Sequence, residues 1–502
     1  MRLRTLPFQL SLCSLLSLAI ACSGRVATQP AEPDAGDLED AGVDAGELDA
    51  GTDAGTDAGV DAGPVLPQLR AGAAAVELIP AKGSPLAGYG AVPRRIISAL
   101  SIPEQLAAAD GHCIDPDPTT VATYFTPNEG TLDPLYVRAV VVDDGHTRMA
   151  ILKVDAVGFS RQIRDDLVPL AQSLGIPPEL LVGVATHTHS GPGAVSKFVM
   201  WELIAADCYN QVAYDVMLHT FREALLQAVA NLKPARLGIG STQEPNASQN
   251  RRDRPGIRDP EMGILKFVDA TTNAPIAEVF NFAIHGTVHD QDNLKFSADV
   301  MGVAEHEIER QLGGMAMFIN GAEGDVSPAN GLQSGIQMAN TLAAAWPQIP
   351  TEPGVALAGV FEDLTMPQLQ YNVGCFPIPG STQTICDLDP GISIQVPLNS
   401  NWGPTKGPFQ AIRLSNAQGN TVLAMAPGEP ETELGWEIKA FGANEGFTHT
   451  FVVSLANDHL SYFTTPAEYT RGLYEGTSTM YGPKTGVLVV QEAEKLVHAL
   501  KP

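Results

Sequence analysis

Two histidines separated by one residue follow an apolar run in the middle of the chain. His187 and His189 lie in the string ATHTHSGPG, directly after LLVGV. Side chains two apart on a strand face the same side of a sheet. The chain then turns at Gly191-Pro192, so both imidazoles are expected at a strand end, where open α/β sheets place their sites. The pattern favours a metal site, but alternating polar residues on a surface strand would give the same string.

A third histidine also closes an apolar strand. In FNFAIHGTVHD, His285 stands immediately before Gly286. A buried polar side chain costs about 1–3 kcal/mol unless it has a partner, so a histidine at this point indicates a functional role. His289 follows four residues later, and such a pair on a helix could bind zinc. Gly286 and the two β-branched residues after it disfavour a helix, so only His285 is predicted to be a ligand.

A serine and an acidic residue follow the next strand. Ser327 lies in GDVSP, just after MAMFING. It is a candidate nucleophile, but the string lacks the G-x-S-x-G spacing of a hydrolase elbow. A turn capped by Asp325 and Ser327 explains the same residues equally well, so spacing alone leaves both interpretations open.

Two C-terminal segments add a carboxylate and several phenols. Glu429 stands just past an apolar strand in LAMAPGEPETELG. The string SYFTTPAEYTRGLYEGTSTMYGP carries Tyr462, Tyr469, Tyr474 and Tyr481. Tyrosines are usually half-buried packing residues with the hydroxyl near water, and composition alone predicts no more for these four.

The segments that must position these residues alternate between β-rich and helix-like runs. Strand-like strings such as RAVVVDD, MAILKVDAV and GILKFVD are interspersed with helix-like SRQIRDDLVPLAQSLG, YDVMLHTFREALLQAVANL and VMGVAEHEIERQLGG. This alternation predicts an α/β fold: a single large catalytic domain, residues 69–502, with a central mixed β-sheet flanked by helices. Residues 367–411 are rich in Pro, Gly and Asn and are predicted to form a long excursion at the rim.

The first 68 residues predict export and a tether. Residues 1–22 combine Arg2 and Arg4 with a short apolar run that ends at Cys22, which is typical of a lipoprotein signal peptide. Residues 23–68 contain degenerate Asp-Ala-Gly triplets that cannot build a core, so they are predicted to be a disordered acidic linker. The expected location is the cell envelope, as an outer-membrane lipoprotein anchored to the membrane surface at Cys22, or the exterior as a secreted protein.

Charge and cysteine usage limit the partners and the compartment. The formal net charge is −27, and residues 31–63 contribute eleven acidic side chains without one Lys or Arg. Nucleic-acid binding needs clustered cations, so no DNA or RNA partner is expected. After the signal, four cysteines remain, and export permits disulfides. Cys375 and Cys386 flank a loop-like stretch and are the first expected pair. Cys113–Cys208 then follows by elimination among three pairings.

In chain order, these strings resemble the neutral ceramidase family. The resemblance rests on ATHTHSGPG, QNRR, DPEMGILKFVD, FAIHG, GDVSP, APGE and YFTTPAEY…YEGTSTMYGP, with an early AAVELIPAKGSPLAGYG. It extends from about Ala74 to Pro483. Each string alone is common, but their combination and order are specific.

The resemblance implies a role for individual residues. The implied zinc ligands are His187, His285, Glu429 and Tyr462. The implied catalytic residues are His189, Arg251, Tyr474 and Ser327. Tyr474 stands twelve residues past Tyr462, which is the family's spacing for a second tyrosine. Arg252 is a rival to Arg251, because Arg252-Asp253 stands where the family has Ser-Pro.

The chemistry of the implied ligands agrees with a zinc amidohydrolase. Two histidines and one carboxylate make a typical catalytic zinc set with an open position for water, whose pKa the metal lowers to near 7. The expected reaction is cleavage of the N-acyl amide bond of ceramide by a zinc-activated water, giving a fatty acid and a sphingoid base. The alternatives are a zinc hydrolase of the same fold that acts on another N-acyl lipid, amide or ester, and an inactive lipid-binding surface lipoprotein.

Overall fold

The computed structural model describes residues 68–96, 113, 121–372 and 395–502. Eighteen strands lie within these residues. In chain order they are β1 (Arg70–Leu78), β2 (Leu135–Asp143), β3 (Arg148–Val154), β4 (Leu181–Ala185), β5 (Lys233–Gln243), β6 (Ser248–Asn250), β7 (Glu261–Asp269), β8 (Pro275–Phe282), β9 (Met315–Asn320), β10 (Val326–Pro328), β11 (Ala356–Thr365), β12 (Gln370–Asn372), β13 (Gln395–Pro397), β14 (Lys406–Asn416), β15 (Gly419–Met425), β16 (Glu429–Pro430), β17 (His449–Val453) and β18 (Tyr462–Phe463).

The helices lie between these strands and at the C-terminal end. They are α1 (Arg161–Ser173), α2 (Gln211–Ala230), α3 (Asp299–Leu312), α4 (Gln333–Ala345), α5 (Thr432–Asn444), α6 (Pro466–Arg471), α7 (Leu473–Thr477) and α8 (Thr485–Ala499). A helical turn at Val199–Trp201 continues into a π-helical turn at Glu202–Ala206, and short 3₁₀ turns occur at Pro178–Leu180 and Trp346–Gln348.

The largest sheet has eight strands in the order β4-β3-β2-β1-β5-β7-β8-β9. Its two outer pairs, β3–β4 and β8–β9, are parallel, and the pairs between them are antiparallel. Strands such as β2, LYVRAVVVD, are almost continuously apolar because both faces of the sheet are covered. The prediction of an α/β domain with a central mixed sheet flanked by helices is therefore confirmed.

A second sheet, which the sequence did not reveal, covers one face of the first. It has the order β11-β14-β15-β17. Its apolar side chains, among them Ile412, Leu423 and Phe451, share one core with Val142, Phe267 and other residues of the large sheet. Helices α1 and α2 cover the other face of the large sheet at one end, and α3 and α4 cover it at the other. Helices α5 and α8 pack on the outer face of the second sheet. The described chain thus forms four layers, helix, sheet, sheet and helix.

The predicted excursion at residues 367–411 is shorter in the structure. Strands β12 and β13 pair as a small ladder inside it, but its last residues, from Lys406 on, already belong to β14. Lys406 pairs with Thr365 at the edge of the second sheet. The Gly and Pro residues near the start of β14 interrupt the strand pattern in the sequence.

One disulfide lies in the described part of the chain. Cys113 is bonded to Cys208, with Cα atoms 5.6 Å apart, which confirms the pairing that elimination gave. Cys375 and Cys386 lie outside the described residues, as do residues 1–67, where the signal and linker were predicted. Within the described residues, every helix is too short or too polar to cross a bilayer.

Candidate metal centre

His187 and His189 leave the large sheet just beyond the end of β4. The strand stops at Ala185, and His187 has a φ of 68°, in the left-handed region. The amide of His189 donates to the carbonyl of Gly286, 2.9 Å away. The prediction that the two histidines share a strand face is therefore wrong, because the chain has already turned. Their rings still meet, with the two Nε2 atoms 3.3 Å apart, at the predicted strand end.

Backbone carbonyls fix the orientation of two of the imidazoles. His187 Nδ1 lies 2.5 Å from the carbonyl oxygen of Val157. His285, in the loop after β8, has its Nδ1 3.0 Å from the carbonyl oxygen of Val326. Since a carbonyl only accepts, both Nδ1 atoms carry the proton and both Nε2 atoms present a lone pair. This is the tautomer that a metal ligand requires.

Glu429 and Tyr462 reach the same point from the C-terminal part of the chain. Strand β16 pairs in parallel with β18, and Glu429 lies opposite Tyr462 in that ladder. Glu429 Oε2 is 3.3 Å from His187 Nε2 and 3.2 Å from His285 Nε2. The Tyr462 hydroxyl is 3.2 Å from His285 Nε2. All four side chains are at most 3% exposed, so the four predicted ligands converge in one buried cluster.

The spacing of the four donors fits a tetrahedral zinc ion. Two donors bonded at about 2.0–2.1 Å to one tetrahedral ion lie about 3.3 Å apart. Three of the six donor–donor distances, Glu429 to each histidine and Tyr462 to His285, are 3.2–3.3 Å. Glu429 Oε2 is buried and has no hydrogen-bond partner, although an unpaired buried carboxylate oxygen is costly. A cation held by His187, His285, Glu429 and Tyr462 would remove that cost.

His189 stands beside the four donors. Together with His187 and His285 it forms a group whose ring nitrogens lie within 4.8 Å of one another. Its ring packs against Tyr89, with centroids 4.7 Å apart, and over Gly88, where a Cβ would lie 2.6 Å from His189 Cγ. Burial, and then the charge of His187, hold the pKa of His189 well below its ordinary value, so the ring is a neutral donor or acceptor near pH 7.

Arg251 and Tyr474 line the same centre, whereas Arg252 does not. Arg251 Nη2 donates to the Tyr462 hydroxyl at 2.8 Å, and its guanidinium lies 5.9 Å from the Tyr474 ring. Tyr474 is 42% exposed, so it stands where the centre opens to solvent. Arg252 is fully buried among carboxylates and pairs with Glu468 at 2.6 Å. Of the two rival arginines, Arg251 is the one that faces the site.

Ser327 is close in sequence to the centre but takes no part in a nucleophile–base pair. It lies in β10 opposite Gln249 and is half-buried. No described residue makes a hydrogen bond with its hydroxyl. The alternative, a turn capped by Asp325 and Ser327, is correct for the turn and wrong for the caps. The amide of Val326 donates to Glu323 O at 2.8 Å, but Asp325 accepts from the amide and hydroxyl of Thr432 at 2.9 and 2.7 Å.

His459, which was not predicted from the sequence, also lies at this centre. Its Nε2 lies 2.8 Å from Glu429 Oε1, and with His187 and Glu429 it forms a second group of potential metal-binding side chains. A signal was present in the sequence, because His459 stands three residues before Tyr462 in NDHLSY. It carried no periodicity or strand-end context that would have distinguished it from a loop histidine.

Burial and neighbouring charges set the protonation of the centre. Burial, then Arg251 and His187, lower the pKa of His285 to about 3, so this ring is neutral at pH 7. Burial alone would raise the pKa of Glu429, but the neighbouring histidines, His187 first, hold it well below its ordinary value. Burial raises the pKa of the Tyr462 phenol, against the effect of Arg251. The centre therefore offers a neutral imidazole at His285 and a carboxylate at Glu429.

Fold and donors together define a class of protein, an α/β protein with a buried cluster of histidine and glutamate side chains that could hold a metal ion. The family model for the neutral/alkaline non-lysosomal ceramidase N-terminal domain matches residues 122–340 and 378–491. This match spans more than half of the chain, and the chain belongs to that family.

Individual relatives agree with this assignment. The neutral ceramidase of Pseudomonas aeruginosa is 28% identical over 385 residues, which cover 60% of this chain and 56% of that protein. The Mycobacterium tuberculosis neutral ceramidase is 23% identical over 400 residues, covering 63% of each chain. The chain thus spans little more than half the length of the first of these relatives. The crystal structure of the P. aeruginosa neutral ceramidase shares the fold, with a TM-score of 0.69 at 21% identity, covering 87% of this chain and 75% of that one.

Proposed function

We propose that this protein is a zinc-dependent amidohydrolase that cleaves the N-acyl amide bond of ceramide, giving a fatty acid and a sphingoid base. The observation that carries the proposal is the convergence of His187, His285, Glu429 and Tyr462, with three of their donor–donor distances at 3.2–3.3 Å. The names of its relatives, and a solved relative described as ceramidase complexed with C2 (TM-score 0.69, 20% identity, 87% of this chain and 75% of that chain covered), support ceramide as the substrate.

The four ligand side chains would hold the ion, and the surrounding backbone would keep them aimed at it. Zinc in such a site supplies a Lewis acid that polarises a carbonyl and a water whose pKa falls to about 7. The carbonyl oxygens of Val157 and Val326 hold two of the imidazoles in the required orientation. The chain therefore presents a preorganised site, and binding of the metal requires no change of tautomer.

Arg251 is the group best placed to stabilise negative charge on the amide oxygen. Its Nε donates to Glu475 at 2.7 Å and its Nη2 donates to Gly324 O and to the Tyr462 hydroxyl. Nη1 makes no hydrogen bond with any described residue, so it is available to a substrate carbonyl. A fixed, charged donor of this kind stabilises an oxyanion without reorganisation.

His189 would act on the leaving amine, and Tyr474 would line the entrance to the site. His189 is neutral and lies against His187, so it can accept a proton from the attacking water and then pass that proton to the departing nitrogen. Tyr474 packs edge-on against Tyr462, with centroids 5.4 Å apart, and presents its ring to solvent. An aromatic ring at this position can contact the apolar part of a lipid substrate.

Ser327 is proposed to position rather than to attack. A serine nucleophile needs a general base within hydrogen-bond reach, and no described residue bonds to its hydroxyl. The Ser327→Ala variant should keep most of its activity, and no acyl group should be trapped on the wild-type serine by mass spectrometry. Detection of an acyl-Ser327 adduct would replace this mechanism with covalent catalysis.

The decisive experiment measures hydrolysis of a fluorescent ceramide beside unrelated N-acyl amides and esters. We expect release of fatty acid near neutral pH, loss of activity on chelation, and recovery on addition of zinc. Cleavage of N-acyl amino acids without cleavage of ceramide would assign the protein to another substrate class with the same metal centre. If ceramide binds but zinc does not, and none of these substrates is cleaved, the inactive lipid-binding alternative would be favoured.

We further propose that the protein is exported and acts at a membrane surface, attached through a lipid on Cys22. This proposal rests on the order of Arg2 and Arg4, an apolar run and Cys22 in the sequence. Labelling of the cells with a fatty-acid analogue should mark the wild-type protein and not the Cys22→Ala variant. Equal labelling of the two proteins would indicate that the protein is secreted without a lipid on Cys22.

A further inference from the structure

His459 is the buried side chain beside the metal centre to which the proposed reaction gives no role. Its ring stacks on the indole of Trp201, with centroids 4.1 Å apart and an interplanar angle of 24°. The Trp201 Nε1–H donates to the carbonyl of His459 at 3.1 Å. On the other side, Gly158 leaves room for the ring, since a Cβ there would lie 2.3 Å from His459 Nδ1.

The segment that carries His459 is tied to the segment that carries Glu429. The amide of Leu460 donates to Pro427 O at 2.8 Å, and the amide of Leu455 donates to Gly428 O at 3.0 Å. In return, the amide of Glu429 donates to Ser461 O at 3.0 Å. Leu455, Asn457 and Ser461 all have φ between 52° and 66°. This irregular backbone coils around Glu429, so the two side chains have a fixed mutual position.

The distance between the two side chains distinguishes a hydrogen bond from shared metal ligation. His459 Nε2 and Glu429 Oε1 are 2.8 Å apart, whereas two ligands of one tetrahedral zinc lie about 3.3 Å apart. The short distance is that of N–H donating to a carboxylate. A ring that donates from Nε2 has no lone pair there, so His459 is not a ligand through that atom.

We propose that His459 is a positioning residue that directs the carboxylate of Glu429. By donating to Oε1 it leaves Oε2 as the free oxygen, and Oε2 is the one that faces His187 and His285. The Trp201 stack fixes the plane of the donor ring. This inference rests on the proposed function, because it presumes that the centre holds zinc. Outer-shell partners of this kind typically change metal affinity by about 10–100-fold.

Two substitutions separate the hydrogen bond from the stack. His459→Phe keeps a ring against Trp201 and loses the donor, whereas His459→Gln can place an amide N–H near Nε2 and loses the stack. A matched control is His498→Phe, which breaks the exposed pair of His498 with Glu445, 2.9 Å apart on the surface. The zinc dissociation constant of each full-length apoprotein is measured by competition with a chelator, with no substrate present.

We expect zinc affinity to fall about 10–100-fold in His459→Phe, and to stay within about threefold of wild type in His459→Gln and His498→Phe. If His459→Phe does not fold, His459→Asn replaces it, since its amide is too short to reach Oε1. Wild-type affinity in the donor-less variant would overturn the proposal. An equal loss in His459→Gln would overturn it too, because it would show that the ring itself binds the metal or that the stack is the essential contact. A wild-type protein that binds no zinc would instead refute the proposed function.

Discussion

Glu429 and Tyr462 face each other across the parallel ladder of β16 and β18, which is only two residues long. Backbone hydrogen bonds from Glu429 N to Ser461 O and from Glu431 N to Phe463 O hold the ladder, at 3.0 and 3.1 Å. The carboxylate and the phenol therefore reach the two histidines as a unit. The metal centre joins this unit to the ends of two strands of the large sheet.

The first prediction concerns metal content. The purified protein should contain about one zinc per chain, and His187→Ala should lose it, because His187 Nε2 is one of the four converging donors. His219→Ala is the control, since His219 is exposed on α2. Elemental analysis checks both variants, and full zinc occupancy in His187→Ala would contradict the ligand assignment.

A second prediction separates His189 from the ligands. His189→Ala should keep its zinc and lose activity on the order of 10²-fold or more, because the ring lies near the reacting groups without being required as a ligand. Zinc content and kcat/KM are measured on the same preparation. Near-normal turnover would make His189 a structural residue, and loss of zinc would make it a ligand.

A third prediction distinguishes the two neighbouring arginines. Arg252→Met should destabilise the fold by about 3–5 kcal/mol, because it removes the buried cation that Glu431 and Glu468 share. Glu468 would keep only the longer contacts with Arg254 and Arg471, at 3.4 and 3.5 Å. Arg251→Met should cost much less stability, since Glu475 keeps Arg252 as a partner.

The activity of the Arg251→Met variant should nevertheless fall by about 10²-fold or more, as for the loss of an oxyanion donor. Thermal unfolding and ceramide hydrolysis are compared for both variants. If both substitutions destabilised the protein equally and Arg251→Met kept its activity, Arg251 would be structural.

A fourth prediction concerns pH and a carboxyl group remote from the ligands. Glu278 in β8 is buried, and neither of its side-chain oxygens has a hydrogen-bond partner. Burial, and then Glu309, raise its pKa to about 9. The folded protein therefore binds a proton here that the unfolded chain releases above its ordinary pKa of 4.5. The contribution of Glu278 to the free energy of unfolding is fully present below pH 4.5 and is lost as the pH rises towards 9.

Glu278→Gln should remove that dependence. Relative to the variant, the wild type should lose up to about 1.4 kcal/mol of unfolding free energy per pH unit across this window. Denaturant unfolding of both proteins at pH 5, 7 and 9 measures the difference. Parallel curves for the two proteins would show that Glu278 has an unperturbed pKa.

The large sheet and the histidines at strand ends were predicted from the sequence for the same physical reason. Apolar runs that end in a polar residue, such as the run before His285, are local patterns, and strand ends are where sites form. The family resemblance added Glu429 and Tyr462 as expected ligands. Glu429 also follows an apolar strand, but no local pattern would have selected Tyr462. The ladder that pairs them is too short to produce a period-2 signal.

The features that the sequence did not predict depend on contacts between distant segments. The second sheet pairs β11 with β14, across a stretch in which Gly and Pro obscure the strands. His459 gains its role only because an irregular loop folds back on Glu429. The left-handed turn at His187 could not be predicted from the sequence either, because a non-glycine residue with positive φ gives no compositional signal.

The left-handed residues around the centre also bear on how the protein can be engineered. His187 and Ser461 hold positive φ values of 68° and 66°, which cost about 1–3 kcal/mol each for residues other than glycine or asparagine. A laboratory selection for heat resistance alone would reward glycine or asparagine at these positions. At position 187 that gain removes a ligand. Thermostable libraries of this protein should therefore be screened in the presence of limiting metal, so that survivors must retain the centre as well as the fold.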